Sequence, residues 1–211
     1  MRGLTINDPQ ITIASAKTLQ SLPDAFLDQA LSDVQAAFTL WSIRGDYCED
    51  HRRYVRGACC SRVPLCPRAE ILKLLVRFSL LTLQDLLDAC HDPHGDIRKV
   101  AIQGVMHILT FQPESIPQVI QEVDKEHYPP SVLEAILSLP VEVLAPVRET
   151  LIALFSSESV VLRRVMIRNA AKAMWLTKEQ ATNIVQIGLE DSDLTVRNLA
   201  VTALRSLKSI L

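Results

Sequence analysis

The first candidate for chemistry is a cysteine-rich segment, YCEDHRRYVRGACCSRVPLC, that begins at Tyr47. Structural zinc sites take their Cys and His ligands in two pairs, each pair two to four residues apart. Cys48 and His51 have that spacing, whereas Cys59, Cys60 and Cys66 do not form a usual second pair. We therefore favour packing thiols over a metal site in this segment.

Catalytic signatures are missing from the rest of the sequence. It contains no G-x-S-x-G, no phosphate-binding glycine-rich loop and no H-E-x-x-H. Any of the five Cys could pair with one of the five His, but no local motif fixes such a pair. We therefore expect a protein that is not an enzyme and that has no cofactor.

Charge is unevenly distributed in the second half of the chain. Residues 110–160 carry eight acids against two bases, whereas residues 161–178 carry five bases and no acid. The formal net charge is only −2, so no global charge directs the chain to nucleic acid or to an anionic membrane. The basic cluster is either a patch for an acidic partner or a solvated helix face. A second basic run comprises Arg52, Arg53, Arg56, Arg62, Arg68 and Arg77.

A short phrase recurs along the chain and indicates which elements hold these residues. The phrase is an Asp, followed five residues later by an aliphatic anchor and then at once by an Arg. It begins at Asp50, Asp92 and Asp191. After the anchors Ile97 and Val196, small and apolar residues follow at offsets of 3, 4, 7, 8 and 11, which is one face of an α-helix.

Related helices begin near Leu162, where Arg163 follows the anchor, and near Val132, where Leu133 replaces the Arg. With Val55, the anchors recur every 30 to 42 residues, and another apolar helical segment precedes each one. One pair of helices cannot bury its apolar stripe alone, but stacked pairs can. The sequence thus predicts an all-α fold, a right-handed α-solenoid of about five helix pairs over residues 24–211. Residues 1–23 are expected to form an N-terminal extension.

The stretches DPHGDIRKVAIQGVMHIL and DSDLTVRNLAVTALRSL resemble HEAT repeats, members of the armadillo-like folds, whose second helix opens with Asp, a short spacer, Val-Arg and Ala. The resemblance covers roughly residues 24–211. The sequence has neither the W-x-x-L-G pattern of tetratricopeptide repeats nor the T-P-L-H pattern of ankyrin repeats. It also has no His-Glu step, through which the HEAT-like deoxyhypusine hydroxylases bind iron.

The resemblance implies a structural reason for the repeated Asp and Arg. In HEAT arrays the Asp caps the second helix, a role implied here for Asp92 and Asp191. The Arg after the anchor reaches a carboxylate of the neighbouring repeat, which implies a ladder of Arg98, Arg163 and Arg197. We also expect the last helix to dock on the Leu162 unit through Leu199, Ala203 and Leu207, with Val201 off that face.

The second helices of HEAT arrays usually line the concave surface, so positions off their apolar stripe are candidates for partner binding. These candidates are Lys99, His107, Arg164, Arg168, Lys172, Trp175 and Arg205, with Glu134 as an acidic break. Trp175 is either a core residue or an exposed interaction anchor. Because the set is mostly basic, we expect a protein partner with an acidic surface or segment.

The cellular context follows from segments that the sequence lacks. The first twenty residues have no continuous apolar stretch of the kind found in secretory signals, and no apolar run approaches the ~18 residues of a membrane span. An odd number of cysteines at apolar positions suits reduced thiols. We expect a cytoplasmic protein that does not bind membranes.

The leading functional prediction is a non-enzymatic scaffold or adaptor that grips a macromolecule on the face of its second helices. One alternative is a nucleic-acid-binding or base-repair protein on the same fold, favoured by the basic run and Trp175. Another alternative is an immunity or secretion accessory protein with one cognate partner.

Overall fold

Helices account for all regular structure in the described part of the chain. The computed structural model describes residues 9–23, 30–43, 67–92, 94–125 and 127–209, and in these ranges it contains no β-strand. The all-α prediction is confirmed. The cysteine-rich segment and the Val55 copy of the repeat lie outside the described residues, so the zinc hypothesis and the second helix of the first pair stay predictions.

The chain divides into two compact units, Met1–Gly104 and Val105–Leu211. The described helices of the first unit are α1 (Pro9–Gln20), α2 (Leu31–Ile43), α3 (Pro67–Arg77), α4 (Leu83–Ala89) and the first part of α5 (Gly95–Phe111). Both α1 and α2 pack on α3. Their shared core includes Ala16, Leu19, Val34, Ile71 and Leu75. Residues 9–20, which we expected in an N-terminal extension, thus contribute to this core.

Polar side chains join α1 to α3. Arg77 donates hydrogen bonds to the carbonyl oxygens of Gln20 and Leu22, so two carbonyls at the end of α1 gain partners that the helix itself cannot supply. The Gln20 side-chain nitrogen lies 3.1 Å from a carboxylate oxygen of Glu70. Glu70 is only 1% exposed, and Lys73 binds its other oxygen at 2.6 Å. The buried charge is therefore paired, as burial in an apolar core requires.

The turn between α3 and α4 is fixed at both ends. Ser79 has φ 53°, the left-handed conformation that closes a Schellman motif, and the Leu80 N–H donates to the Leu75 carbonyl at 3.1 Å. Thr82 then opens α4 with a capping box, in which its hydroxyl accepts from the Asp85 N–H while the Asp85 carboxylate accepts from the Thr82 N–H.

In its described residues, the second unit contains the end of α5 and seven further helices. These are α6 (Ile116–Asp124), α7 (Pro130–Leu137), α8 (Val141–Leu144), α9 (Arg148–Ala153), α10 (Val160–Ala170), α11 (Lys178–Leu189) and α12 (Leu194–Ser209), with short 3-10 turns at Pro113–Ser115, Ala145–Val147 and Leu154–Ser156. The apolar segment 143–155 is broken into two helices around Pro146, because proline has no N–H to continue the helical bonding. No single helix in the described ranges is long and apolar enough to cross a membrane.

Helices of the second unit pack in chain order. α6 contacts α7, α7 contacts α10, and α10 contacts both α11 and α12. α11 and α12 also pack on each other. The second helices of the pairs in this unit are α7, α10 and α12. The middle one, α10, therefore lies next to both of the others.

The last helix docks on the Leu162 unit as expected, since α12 packs on α10. The buried face is rotated slightly from the predicted one: Val196 and Ala200 are fully buried and Ala203 is 5% exposed. Leu199 and Leu207, which we expected to be buried, are half-buried at the edge of the contact. Val201 is 38% exposed, in agreement with its predicted position off that face.

Candidate functional site

The residue that opens the repeated phrase holds a tight turn. In three described copies its side-chain oxygen accepts a hydrogen bond from the backbone N–H two residues later. The pairs are Asp92 with His94 at 2.8 Å, Ser157 with Ser159 at 3.1 Å and Asp191 with Asp193 at 2.8 Å. Asp and Ser both form turns of this kind, so Ser157 replaces the Asp without loss of the contact.

The prediction that Asp92 and Asp191 cap their helices is wrong. Two residues separate each of them from the helix that follows, so their carboxylates close the preceding turn instead. α12 is capped by Asp193, whose Oδ1 accepts from the Val196 N–H at 3.0 Å. At α5 the ring nitrogen Nδ1 of His94 accepts from the Asp96 N–H at 3.3 Å.

The Arg that follows each anchor folds back on its own turn. Its Nη1 donates to the carbonyl oxygen six residues earlier in every described copy. The pairs are Arg98 with Asp92 at 2.7 Å, Arg163 with Ser157 at 2.7 Å and Arg197 with Asp191 at 2.6 Å. This clamp fixes the turn against the first turn of the helix, which the resemblance did not predict.

Arg163 also reaches the next turn along the chain. Its Nε and Nη2 donate to the two carboxylate oxygens of Asp191 at 2.7 and 3.1 Å. These bonds lower the pKa of the Asp191 carboxyl below its ordinary value. The predicted ladder contact is confirmed for Arg163, but Arg197 donates to the Asp191 and Ser192 carbonyls of its own turn instead.

The other described turns are bound in a similar way. Arg68 of α3 donates to Asp92 at 2.7 Å, and the Ser157 hydroxyl donates to Asp124 at the end of α6 at 2.6 Å. Each of these copies of the repeated phrase thus marks a turn that is bound by a side chain from an earlier helix.

Two of the predicted partner-binding arginines are engaged within the molecule. Arg164 makes two hydrogen bonds to Asp193, at 3.1 and 2.9 Å, and Arg168 lies 3.1 Å from Glu134 on α7. The Arg164 guanidinium, followed by the Val196 N–H, lowers the pKa of Asp193 to about 2. The predicted basic stripe along α10 is therefore largely neutralised, because carboxylates from both neighbouring helices face it.

Lys172 and Arg205 differ from these arginines. Both side chains are exposed, and neither takes part in an ion pair with a described residue. In the second unit they are the predicted binding residues whose charge is available to a partner. Lys99 is exposed on α5 within the first unit.

His107 and Phe111 form an exposed aromatic pair at the end of α5. Their rings meet edge to face with centroids 5.1 Å apart, and Phe111 is 72% exposed. Phe111 was not among the predicted residues, although an aromatic residue at the end of a helix, beyond the last apolar offset, was a usable signal.

Trp175 must be removed from the predicted binding residues. It is only 4% exposed, in the segment between α10 and α11, so it packs in the core and cannot serve as a surface anchor. Its position after the apolar run of α10 places it where two helix pairs meet.

Of the five cysteines, Cys90 lies within the described ranges. It is 1% exposed. Burial raises the pKa of its thiol from 9.0 to about 11, so the thiol is protonated at neutral pH. Among the described residues, no group of three or more His, Cys, Asp or Glu side chains is placed to hold a metal ion.

A groove of about 480 Å³ lies between the turns that precede α10 and α12. It is lined by Phe155, Ser156, Ser157, Glu158, Arg163, Ile187, Glu190, Asp191 and Ser192. Sequence reasoning missed this groove, because its two walls come from residues 155–163 and 187–192, which are far apart in the chain, and periodicity reports only local structure.

Comparisons of the chain with protein-family models, with curated proteins and with solved structures found no match. The resemblance to HEAT repeats therefore depends on the residues of this chain. These are the repeated Asp, aliphatic anchor and Arg of the sequence motifs that begin at Asp92 and Asp191.

Proposed function

We propose that this protein is a non-enzymatic scaffold of the cytoplasm, a right-handed solenoid of HEAT-like helix pairs that binds a macromolecular partner on the face of its second helices. The observation that carries the proposal is the consecutive packing of α7, α10 and α12. Helices stacked in this order present a continuous surface, which repeat proteins use to bind extended partners.

Ion pairs keep this surface in register. Arg168 links α10 to Glu134 on α7, and Arg164 links α10 to Asp193 at the start of α12. Each arginine is held at its neighbour, so the surface is pre-organised before a partner arrives. A pre-organised surface loses less conformational freedom on binding.

The charge that remains on this surface favours an acidic protein partner. Lys172 and Arg205 offer uncompensated cations, and Phe111 with His107 offers an exposed aromatic contact in the same unit. Aromatic residues and Arg are enriched at protein interfaces.

Nucleic-acid binding, the main alternative, has weaker support. Arg164 and Arg168 are bound to carboxylates, and buried Trp175 is not available to stack on a base. An immunity or secretion accessory role would use the same face for one cognate protein.

Charge reversal at the two uncompensated cations tests the proposal. We expect Lys172→Glu/Arg205→Glu to weaken binding of a partner identified by affinity capture and mass spectrometry. Lys178→Glu is the matched control, because Lys178 is exposed at the start of α11, a first helix. Binding that survives Lys172→Glu/Arg205→Glu unchanged would place the interface elsewhere.

A mobility shift assay over a salt series separates the alternative. Nucleic-acid binding falls steeply with salt because phosphate contacts release counterions. A retarded complex with that salt dependence would support the nucleic-acid function and contradict the scaffold.

A further inference from the structure

The groove ahead of α10 and α12 has walls that are already fixed. Arg163 donates to the carbonyls of Ser157 and Glu158 at 2.7 and 3.1 Å, which ties down one wall. Arg197 does the same for Asp191 and Ser192 at 2.6 and 2.9 Å, which ties down the other wall. Both walls are therefore held by their own helices, and the groove does not need to be ordered by a ligand.

The groove does not suit an anion. Arg163 is the cation among its lining residues, and this guanidinium is already bound to both carboxylate oxygens of Asp191 and to two carbonyls. The donors of Arg163 that bind Asp191 and the two carbonyls are therefore not available to a ligand carboxylate or phosphate.

The groove does offer negative charge. Glu158 on one wall and Glu190 on the other are exposed, and neither carboxylate takes part in an ion pair with a described residue. They differ in this respect from Asp191 and Asp193, whose charges are matched by Arg163 and Arg164. The two walls thus place an unmatched carboxylate on either side of the groove.

The groove also offers apolar surface. Ile187 of α11 is 57% exposed, and buried Phe155 lines the groove as well. Lys and Arg side chains combine an aliphatic stem with a cationic head, and they cover apolar surface while the head stays in a polar setting.

We propose that this groove is a docking site for a single Lys or Arg side chain of a protein partner, with its stem on Ile187 and Phe155 and its cation between Glu158 and Glu190. The site is made of turns and of the end of α11, a first helix, so it is separate from the second-helix face. The inference rests on the proposed scaffold function only in requiring a protein partner. The partner would then present a basic residue here in addition to an acidic surface on the second helices.

The experiment is an NMR titration of the full chain with N-acetyl-Ala-Arg-Ala-amide. Its citrulline analogue is the control, since citrulline has nearly the shape of arginine without the charge. We expect the arginine peptide to shift the amide signals of residues 155–158 and 187–192, and the citrulline peptide to bind more weakly. Equal effects of the two peptides, or shifts confined to other residues, would overturn the proposal.

A variant of the walls provides the second arm. Glu158→Gln/Glu190→Gln keeps the shape of both side chains and should weaken the arginine peptide by roughly three- to tenfold, the expected effect of two exposed charge contacts. Glu179→Gln, an exposed position on α11 outside the groove, should leave binding unchanged. Unchanged binding in the double variant would contradict the site, whereas the second-helix variants report on the scaffold function independently.

Discussion

Arg163 makes contacts within its own turn and with the next turn, and the combination explains why an Arg follows the anchor. One nitrogen binds the Ser157 carbonyl at 2.7 Å, and two others bind Asp191. The side chains of Arg163 and Asp191 are only 12% and 11% exposed, so the pair is shielded from water. A planar guanidinium can bind both oxygens of a carboxylate while another of its nitrogens binds a carbonyl, whereas an ammonium group has no planar fork of donors.

Replacement of Arg163 by Ala should destabilise the protein by about 2–3 kcal/mol, because a charged hydrogen-bond network is lost and Asp191 is left without its partner. Arg163→Lys should recover only part of this loss. Chemical denaturation measures both variants, with exposed Arg205→Ala as the control, for which we expect a change within about 0.5 kcal/mol. Equal stability of Arg163→Ala and Arg205→Ala would show that the bridge is dispensable.

Asp193 gives stability a defined pH dependence. Its folded-state pKa is lowered from 3.8 to about 2, so its carboxylate stabilises the fold above its ordinary pKa, and this contribution declines as the pH falls from about 4 to about 2. Asp193→Asn keeps an oxygen to cap α12 but cannot titrate. The difference in unfolding free energy between wild type and Asp193→Asn should therefore shrink over this pH range, as followed by denaturation at several pH values. A difference that is constant from pH 6 to pH 2.5 would contradict the assigned role.

The sequence indicated where the arginines of α10 lie on their helix but not what they contact. Spacing along α10 placed Arg164 and Arg168 off the apolar stripe, which the structure bears out, but their partners Asp193 and Glu134 come from other helices. Such a pairing depends on how helices cross. Periodicity within one helix contains no information on that crossing, so the neutralisation of the stripe could not be predicted.

At the scale of elements, Gly188 sets how closely α11 approaches its neighbours. A Cβ built there would lie 2.6 Å from Cδ1 of Ile167 on α10 and 3.1 Å from Cβ of Ala200 on α12. The Ile167 side chain can rotate, but the Ala200 Cβ is fixed to its backbone. The absence of a side chain at Gly188 therefore allows three helices to pack together.

Gly188→Ala should destabilise the protein by about 1–3 kcal/mol through overpacking, although Ala favours the helix by up to about 1 kcal/mol. Gly95→Ala is the matched control, because the nearest atom to a Cβ there is Arg98 Nη2 at 3.7 Å. Shortening Ile167 to Val should partly rescue Gly188→Ala by removing the nearest methyl group. Thermal melts of the four proteins measure these effects, and a Gly188→Ala that melts with or above wild type would refute the close packing.

Most helices could be predicted from the sequence, but the residues at which they begin and end were predicted less accurately. The apolar stripes from Leu162 and Val196 correspond to α10 and α12. Leu199 was misplaced because the buried face of α12 is set by the angle at which α12 crosses α10. The contribution of α1 to the core of the first unit was missed because its partner α3 lies about 50 residues away in the chain. The break around Pro146 was readable from the proline itself.

At the scale of the molecule, the proposed solenoid implies that each helix pair depends on its neighbours. The contacts from Asp124 to Ser157 and from Arg163 to Asp191 join successive pairs of the second unit. In such a stack, stability is transmitted from one pair to the next. A disturbance in one pair should therefore weaken with distance along the chain.

Hydrogen exchange on Val196→Ala tests this central claim most directly. Val196 is fully buried on α12, and loss of its two methyl groups should cost about 2 kcal/mol. Val201→Ala makes the same chemical change at a residue of α12 that is 38% exposed, and it is the control. We predict that Val196→Ala speeds exchange most in α11 and α12, less in α10 and least in α1 to α3. An equal loss of protection along the whole chain would show one cooperative core and contradict the stacked repeat.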